Sequence, residues 1–300
     1  MKTLQEIMMV AQNKPNKTIA LACPEDHEVL QAVDEATRLN LCDFVLFGDE
    51  AKTKTIAEEM NINLDKCQFV NVLDKETACF EAVKYVSQGH ADVLMKGLVD
   101  TAVIMKKVLD KDYGLRTDNI ISHVMVIQLP KFDRLIFLSD GAMNIDPTIE
   151  QLKQITINAV KLARSLSINR PKVACISAVE KVNPKMPSTV KCHEIEQMQE
   201  NLEIVHCDIC GPMAIDIALD KEAAKTKNIK HPVAGNADIL IVPYIEVGNA
   251  LYKGWMFGCE NVKSAGIIMG AKAPIVLTSR ADSHESKLYS IALSVLLDNM

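Results

Sequence analysis

Aromatic residues are scarce in this chain: Phe, Trp and Tyr make up 4% of its 300 residues, with a single tryptophan. So few rings leave no surface on which unpaired bases could stack. Excess positive charge is missing too, with 33 Lys and Arg against 39 Asp and Glu, a net charge of −6, and the two signs interspersed. That balance excludes the basic stripe that duplex nucleic acid requires. No window reaches the roughly 18 uninterrupted apolar residues of a membrane span. The N-terminal MKTLQEIMMVAQNK has helical apolar spacing at Leu4, Ile7 and Met8 but no apolar stretch ending at a small-residue cleavage site. Glycine-rich motifs are absent as well: no G-x-x-x-x-G-K-[ST], no G-x-G-x-x-G and no G-x-S-x-G. A Walker-type kinase, a dinucleotide-fingerprint enzyme and an α/β-hydrolase lose support accordingly.

Nine cysteines are present, an odd number at irregular spacing, and most sit in apolar runs, as Cys23, Cys42, Cys79 and Cys175 do. Reduced thiols and a cytoplasmic protein are expected. Cys207 and Cys210, beside His206, have the spacing of zinc or redox pairs. No second such pair accompanies them, and Cys192-His193 and Cys259 are not placed to help, so no metal is expected. The 14 methionines read as adaptable core filling.

With 48% hydrophobic and 24% charged residues over this length, the chain is globular and long enough for about two domains. Apolar runs predict strands at Thr18 to Cys23, Asp43 to Phe47, Gln68 to Val72, Asp92 to Met95 and Ser122 to Gln128. Further runs lie at Leu135 to Leu138, Lys172 to Ile176, Glu203 to Val205, Asp238 to Val242, Gly266 to Met269 and Ile275 to Leu277. Amphipathic helices such as Glu25 to Asn40, Lys75 to Ser87 and Pro147 to Leu166 alternate with them. This alternation predicts an α/β fold of doubly wound, mainly parallel sheets covered on both faces.

Ligands in such folds lie beyond the carboxyl ends of the strands, and the residues that follow these strands are small and polar. They are Lys96-Gly97, Ser139-Asp140-Gly141, Ser177-Ala178, Gly211-Pro212, Tyr244 to Asn249 and Ser279-Arg280. The most informative stretch is AKAPIVLTSRADSHESKL, from Ala271 to Leu288: a buried strand breaks at Thr278-Ser279-Arg280 and a helix begins. A strand end feeding a helix N-terminus gathers unpaired N–H groups, the positive end of the dipole and here a guanidinium, which together suit a phosphate or carboxylate.

Four segments, MKGLVDT (95 to 101), SDGAMNIDPT (139 to 148), HPVAGNADILIVPYIEVGNALYK (231 to 253) and TSRADSHESKL (278 to 288), resemble the phosphate acyltransferases. The wording is closer to phosphate butyryltransferase than to phosphate acetyltransferase, and the resemblance runs from about residue 15 to the end. It implies reversible transfer of a short acyl group, butyryl preferred, between coenzyme A and inorganic phosphate. The implied architecture is two-domain, like isocitrate and isopropylmalate dehydrogenases, with the active site in an interdomain cleft. One domain is expected at 1–134 plus 266–300 and the other at 135–265. The resemblance further implies coenzyme A or acyl-CoA and phosphate or acyl phosphate as small-molecule partners, no tightly bound cofactor, no metal and a homodimer or larger homo-oligomer.

Carried over residue by residue, the resemblance assigns Ser279 and Arg280 to the substrates, Arg280 neutralising the departing phosphate. Where the acetyltransferases have an aspartate base toward the coenzyme A thiol, this chain has Ser286. Asp282, His284 and Glu285 are the candidate replacements, or no side-chain base at all, since a thiol near its ordinary pKa needs modest help. Asp282 with Glu285 also reads as a helix capping box. Gly97 and Thr101 match small-residue and threonine positions, while Lys96 stands where a serine is usual and offers an ammonium to phosphate or a strand-end cap. Arg116 is the nearest basic residue to a second expected cation position, occupied by Ile120, or else a surface loop arginine. Asp140, Asn144 and Pro147 match a D-x-x-x-N-x-x-P element able to turn the chain and start a helix. Gly248, Asn249, Tyr252 and Lys253 complete the substrate-binding set, Asn249 serving alternatively as a helix cap.

Two other functions fit part of this pattern. A β-decarboxylating dehydrogenase relative needs clustered aspartates for a metal, and none follows a strand here. A non-catalytic acyl-CoA-sensing domain predicts loss of the anion residues, yet Ser279 and Arg280 are retained.

Overall fold

The computed structural model describes residues 1–279 and 282–297. Its strands are β1 Lys17–Ala22, β2 Cys42–Gly48, β3 Gln68–Asn71, β4 Val93–Lys96, β5 Ser122–Gln128, β6 Ile136–Ser139, β7 Lys172–Ile176, β8 Asp208–Met213, β9 Ile239–Ile241, β10 Lys263–Met269 and β11 Ile275–Val276. The chain divides into two compact units, one holding Leu4–Asn119 with the return from Ser264 onward, the other Met1–Thr3 with Ile120–Lys263. The sequence placed the first division at 134. In the structure β5 and β6 form an antiparallel pair, Met125 opposite Leu138, so the chain from Ile120 onward belongs to the central unit.

In the first unit the strands run in the order β3-β2-β1-β4-β11-β10, parallel throughout except that β10 opposes β11. The central unit has the order β5-β6-β9-β7-β8, with only the β5–β6 pair antiparallel. This is the doubly wound, mainly parallel α/β architecture. Parallel strands covered on both faces must be apolar on both, and β4 (VLMK) is buried along its whole length while β1 is buried from Ile19 to Ala22.

Each early strand hands the chain to a helix through an aspartate. Asp26 accepts from the Val29 amide at 3.0 Å, Asp49 from Lys52 at 3.0 Å and Asp74 from Thr77 at 2.8 Å, starting helices His27–Arg38, Glu50–Glu59 and Lys75–Ser87. Each carboxylate satisfies an amide that the first turn leaves unpaired. Helix Ile149–Ser165 begins instead with a capping box between Thr148 and Gln151, so Pro147 precedes the cap rather than occupying the first turn. No helix among the described residues is long and apolar enough to cross a membrane.

One strand differs from expectation. Glu203 to Val205 is not a strand; the ladder starts at Asp208 and carries Gly211-Pro212 inside it. β8 lies at the end of its sheet, where a proline lacking an N–H is tolerated.

Candidate active site

In the first unit β1, β4 and β11 are neighbours and parallel, so their carboxyl ends lie side by side. There a small cavity is lined by Asp26, Lys96, Gly97, Thr278, Ser279 and Lys287, among others. Gly97 lets β4 and β1 end in close contact. Its amide donates to the Ala22 carbonyl at 2.8 Å, the Leu98 amide donates to Cys23 at 2.7 Å, and a Cβ on Gly97 would collide with the Cys23 carbonyl. Lys96 is buried, and its ammonium donates to the carbonyls of Gly97 and Val99, each at 3.1 Å. The lysine therefore orders the loop beyond its own strand while placing a positive charge at the cavity.

The opposite wall is the start of helix His284–Val295. Its N-cap is Ser283, whose hydroxyl accepts from the Ser286 amide at 3.3 Å. The expected capping box of Asp282 with Glu285 does not form, because Asp282 lies before the cap and turns back to accept from the Ser279 amide at 2.7 Å. Asp282 therefore shapes the Ser279 turn. Glu285 receives the Tyr289 hydroxyl at 3.3 Å, and His284 is held by Glu28, which accepts from its amide at 2.6 Å. Ser286 is buried, with the Ser283 hydroxyl 3.4 Å from its own. Arg280 and Ala281 lie outside the described residues.

Lys287 escaped the sequence-based selection. It is 2% exposed, and its ammonium donates to the Asp282 carbonyl. Burial pushes this ammonium down from the ordinary lysine range, against the pull of Asp282, Asp26 and Glu28. The available signal was that Lys287 is the one charge in the run from Ser286 to Val295, all of which is buried. Two buried lysines, Ser279 and residues from the starts of His27–Arg38 and His284–Val295 thus line one small space, with a single lining carboxylate, Asp26, already engaged as a cap. The arrangement favours an oxyanion.

The remaining candidates lie in the central unit or on the surface. Asp140 is buried and accepts from the amides of His123 (3.2 Å), Ala142 (2.9 Å) and Met143 (3.0 Å) and from Asn144 Nδ2 (2.6 Å). Asn144 also donates to the Ile121 carbonyl at 3.0 Å, so Asp140 and Asn144 together build the corner after β6. Gly248 and Asn249 belong to helix Ile245–Gly258, whose N-cap is Tyr244 rather than Asn249. Asn249 instead donates to the Gly141 carbonyl at 3.2 Å. Tyr252 packs against the central core, and Lys253 is exposed. Thr101, at the start of helix Thr101–Val108, and Arg116, in the segment before β5, are both exposed and line no part of the cavity.

A family model described as phosphate acetyl/butaryl transferase matches residues 2–81 and 71–295. Phosphate butyryltransferase of Clostridium acetobutylicum is 44% identical over 296 residues, covering 99% of this chain and 98% of that protein. Phosphate acetyltransferase of Thermotoga maritima is 42% identical over 293 residues, covering 98% and 99%. A branched-chain phosphotransacylase from Enterococcus faecalis superimposes with a TM-score of 0.82 at 36% identity, over 93% of this chain and 98% of that one.

Proposed function

We propose that this chain, which belongs to the phosphate acetyl/butaryl transferase family, catalyses reversible transfer of a short acyl group between coenzyme A and inorganic phosphate, with butyryl and similar chains preferred. The observation that carries the reading is the convergence of Lys96, Ser279 and Lys287 on one cavity at the carboxyl ends of β4 and β11.

In the direction of acyl-CoA formation, the coenzyme A sulfur attacks the acyl carbon of the acyl phosphate. The bond between the acyl carbon and the bridging oxygen breaks, phosphate departs with that electron pair, and the thiol proton goes to solvent. Lys287, Lys96 and the Ser279 hydroxyl hold the phosphate oxygens and offset the charge that grows on them, with Arg280 as a further cation. Ser286 presents a buried hydroxyl and no carboxylate to the thiol. The sulfur's proton therefore leaves without a carboxylate base at this position, as the modest pKa of a thiol permits. Asp282 acts by positioning, its carboxylate fixing the Ser279 amide. Asp140, Asn144, Gly248 and Asn249 build the acyl- or coenzyme-binding corner of the central unit, Tyr252 and Lys253 extend it, and Thr101 and Arg116 take outer contacts with coenzyme A phosphates.

We also place the enzyme in the cytoplasm as a homodimer or larger assembly. Helix Ile245–Gly258 supports the assembly: only Gly248 of its residues is buried, and Phe257 is 84% exposed. The test is thiol release from butyryl-CoA and acetyl-CoA with and without phosphate. Phosphate-dependent release, faster with butyryl-CoA, is the expected result. Release that ignores phosphate contradicts the transferase reading, and faster release from acetyl-CoA contradicts the chain-length preference.

A further inference from the structure

We propose that Glu196, Cys210 and His231, brought together on the central unit, form a binding site for a zinc-class divalent transition-metal ion. One ligand atom from each, a carboxylate oxygen, a thiol sulfur and an imidazole nitrogen, lie within 4.8 Å of one another. Ligand atoms around a tetrahedral ion with bonds of about 2.0–2.3 Å stand roughly 3.5 Å apart, so modest side-chain rotation closes the set. The mixture of oxygen, nitrogen and sulfur donors suits zinc and its neighbours rather than calcium or magnesium, which select oxygen.

Three separate segments supply the ligands, and the packing explains why they meet. Glu196 is on helix Pro187–Glu200, Cys210 on edge strand β8 and His231 at the head of the HPVAGNAD segment leading to β9. Gly211 brings the helix onto the strand: a Cβ there would lie 2.9 Å from the Cys192 carbonyl oxygen and 2.6 Å from the Cys175 Cβ. The Gly211 amide donates to one Glu196 oxygen at 3.4 Å, and the Cys210 sulfur lies within 4.8 Å of a Glu196 carboxylate oxygen. The contact to Gly211 aims the carboxylate at the edge strand, the kind of outer support that metal ligands use. His231 accepts a long bond of 3.3 Å from the Val233 amide at Nδ1; a metal on Nδ1 replaces that bond, and one on Nε2 uses the other tautomer. His193, with Nδ1 3.4 Å from Glu196 Oε2, stands next to the set on the same helix.

All three side chains are half-buried, so an ion has access and water can complete its coordination. Coordination replaces the sulfur–hydrogen bond of Cys210 with a sulfur–metal bond, and the proton goes to solvent. The Cys207/Cys210 spacing points at the wrong pair: Cys207 is fully buried, and the partners of Cys210 come from elsewhere in the chain. Such an ion ties a helix, an edge strand and the segment before β9 together.

Cobalt(II), added to chelator-stripped full-length protein in a Cys259→Ser background, reads the site directly, since a thiolate on cobalt gives a charge-transfer band in the near ultraviolet. The Cys259 substitution removes the exposed thiol. The expected result is a saturable band that disappears in Cys210→Ala. In His231→Ala and Glu196→Gln, affinity weakens by more than the roughly 10- to 100-fold cost of losing an outer-shell partner. Zinc raises the Tm of the parent protein and leaves that of Cys210→Ala unchanged, so each protein's own Tm shows that it folds. No band in the parent protein, or a band unchanged in Cys210→Ala and Glu196→Gln, overturns the proposal.

Discussion

Gly141 and Gly248 stand back to back: a Cβ on Gly248 would lie 2.8 Å from the Gly141 Cα, and one on Gly141 would lie 2.8 Å from the Gly248 carbonyl carbon. Real Cβ atoms do not approach backbone so closely, so the pair of glycines sets how tightly helix Ile245–Gly258 seats on the corner after β6. Gly248→Ala is expected to force them apart, weaken the Asn249 bond to Gly141 and destabilise the fold by about 1–3 kcal/mol, as overpacking does. A denaturant midpoint unchanged in Gly248→Ala contradicts this packing.

Asp140 holds the same corner from within. Its carboxylate is the common acceptor for the His123, Ala142 and Met143 amides and the Asn144 side chain. Asp140→Ala strands the buried His123 amide, at about 1–3 kcal/mol, and frees three part-buried donors that water reaches more easily, so a loss of roughly 2 kcal/mol or more is expected. Urea unfolding measures it; a loss below roughly 1 kcal/mol means the donors find other partners.

In the proposed site, the buried charge of Lys287 carries a stability cost. Its ammonium is pushed below the ordinary lysine range chiefly by burial, so the unfolded chain binds that proton more tightly than the folded one. The charge therefore destabilises the fold at all pH values below the lowered pKa. The penalty fades as pH rises from there toward the unfolded value of about 10.4. Lys287→Met is expected to raise Tm at neutral pH, to abolish the extra alkaline gain in stability and to raise KM for phosphate. Melting curves across that window decide: a lower Tm in Lys287→Met, or an alkaline gain that persists, contradicts the assignment.

The thiols divide by exposure. Burial pushes Cys192 and Cys210 up to about 12 and Cys67 and Cys207 up to about 11, whereas Cys259 is the exposed cysteine. Since the thiolate is the reactive form, native protein should show one fast thiol toward an aromatic disulfide reagent, with the half-buried Cys67 and Cys210 slower and the buried thiols reacting on unfolding. Cys259→Ser should remove the fast phase; its survival contradicts the assignment.

Strands buried on both faces were legible because their sequences are continuously apolar, as in IALA of β1 and VLM of β4. β8 was displaced because Gly211 and Pro212 read as residues at a strand end, and only its edge position, a property of the whole sheet, lets them sit inside the strand. At the site, Lys96, Gly97 and Ser279 were visible as strand-end residues. Lys287 was not, because periodicity assigns a helical lysine to the solvent face, and the helix that bears it is buried all round from Ser286 onward. Nor does Asp282 x-x Glu285 announce that the cap falls one residue later, at Ser283. That choice depends on Asp282 being claimed by the Ser279 amide.

The most direct test of the strand-end anion site is the phosphate dependence of coenzyme A release from butyryl-CoA in the wild type, Ser279→Ala and Arg280→Ala, with Tm measured alongside. Loss of one hydrogen bond to a charged oxygen corresponds to roughly 10- to 100-fold. The account predicts at least that fall in kcat/KM for phosphate in each variant, at an unchanged Tm. Undiminished phosphate-dependent turnover in both variants would contradict it.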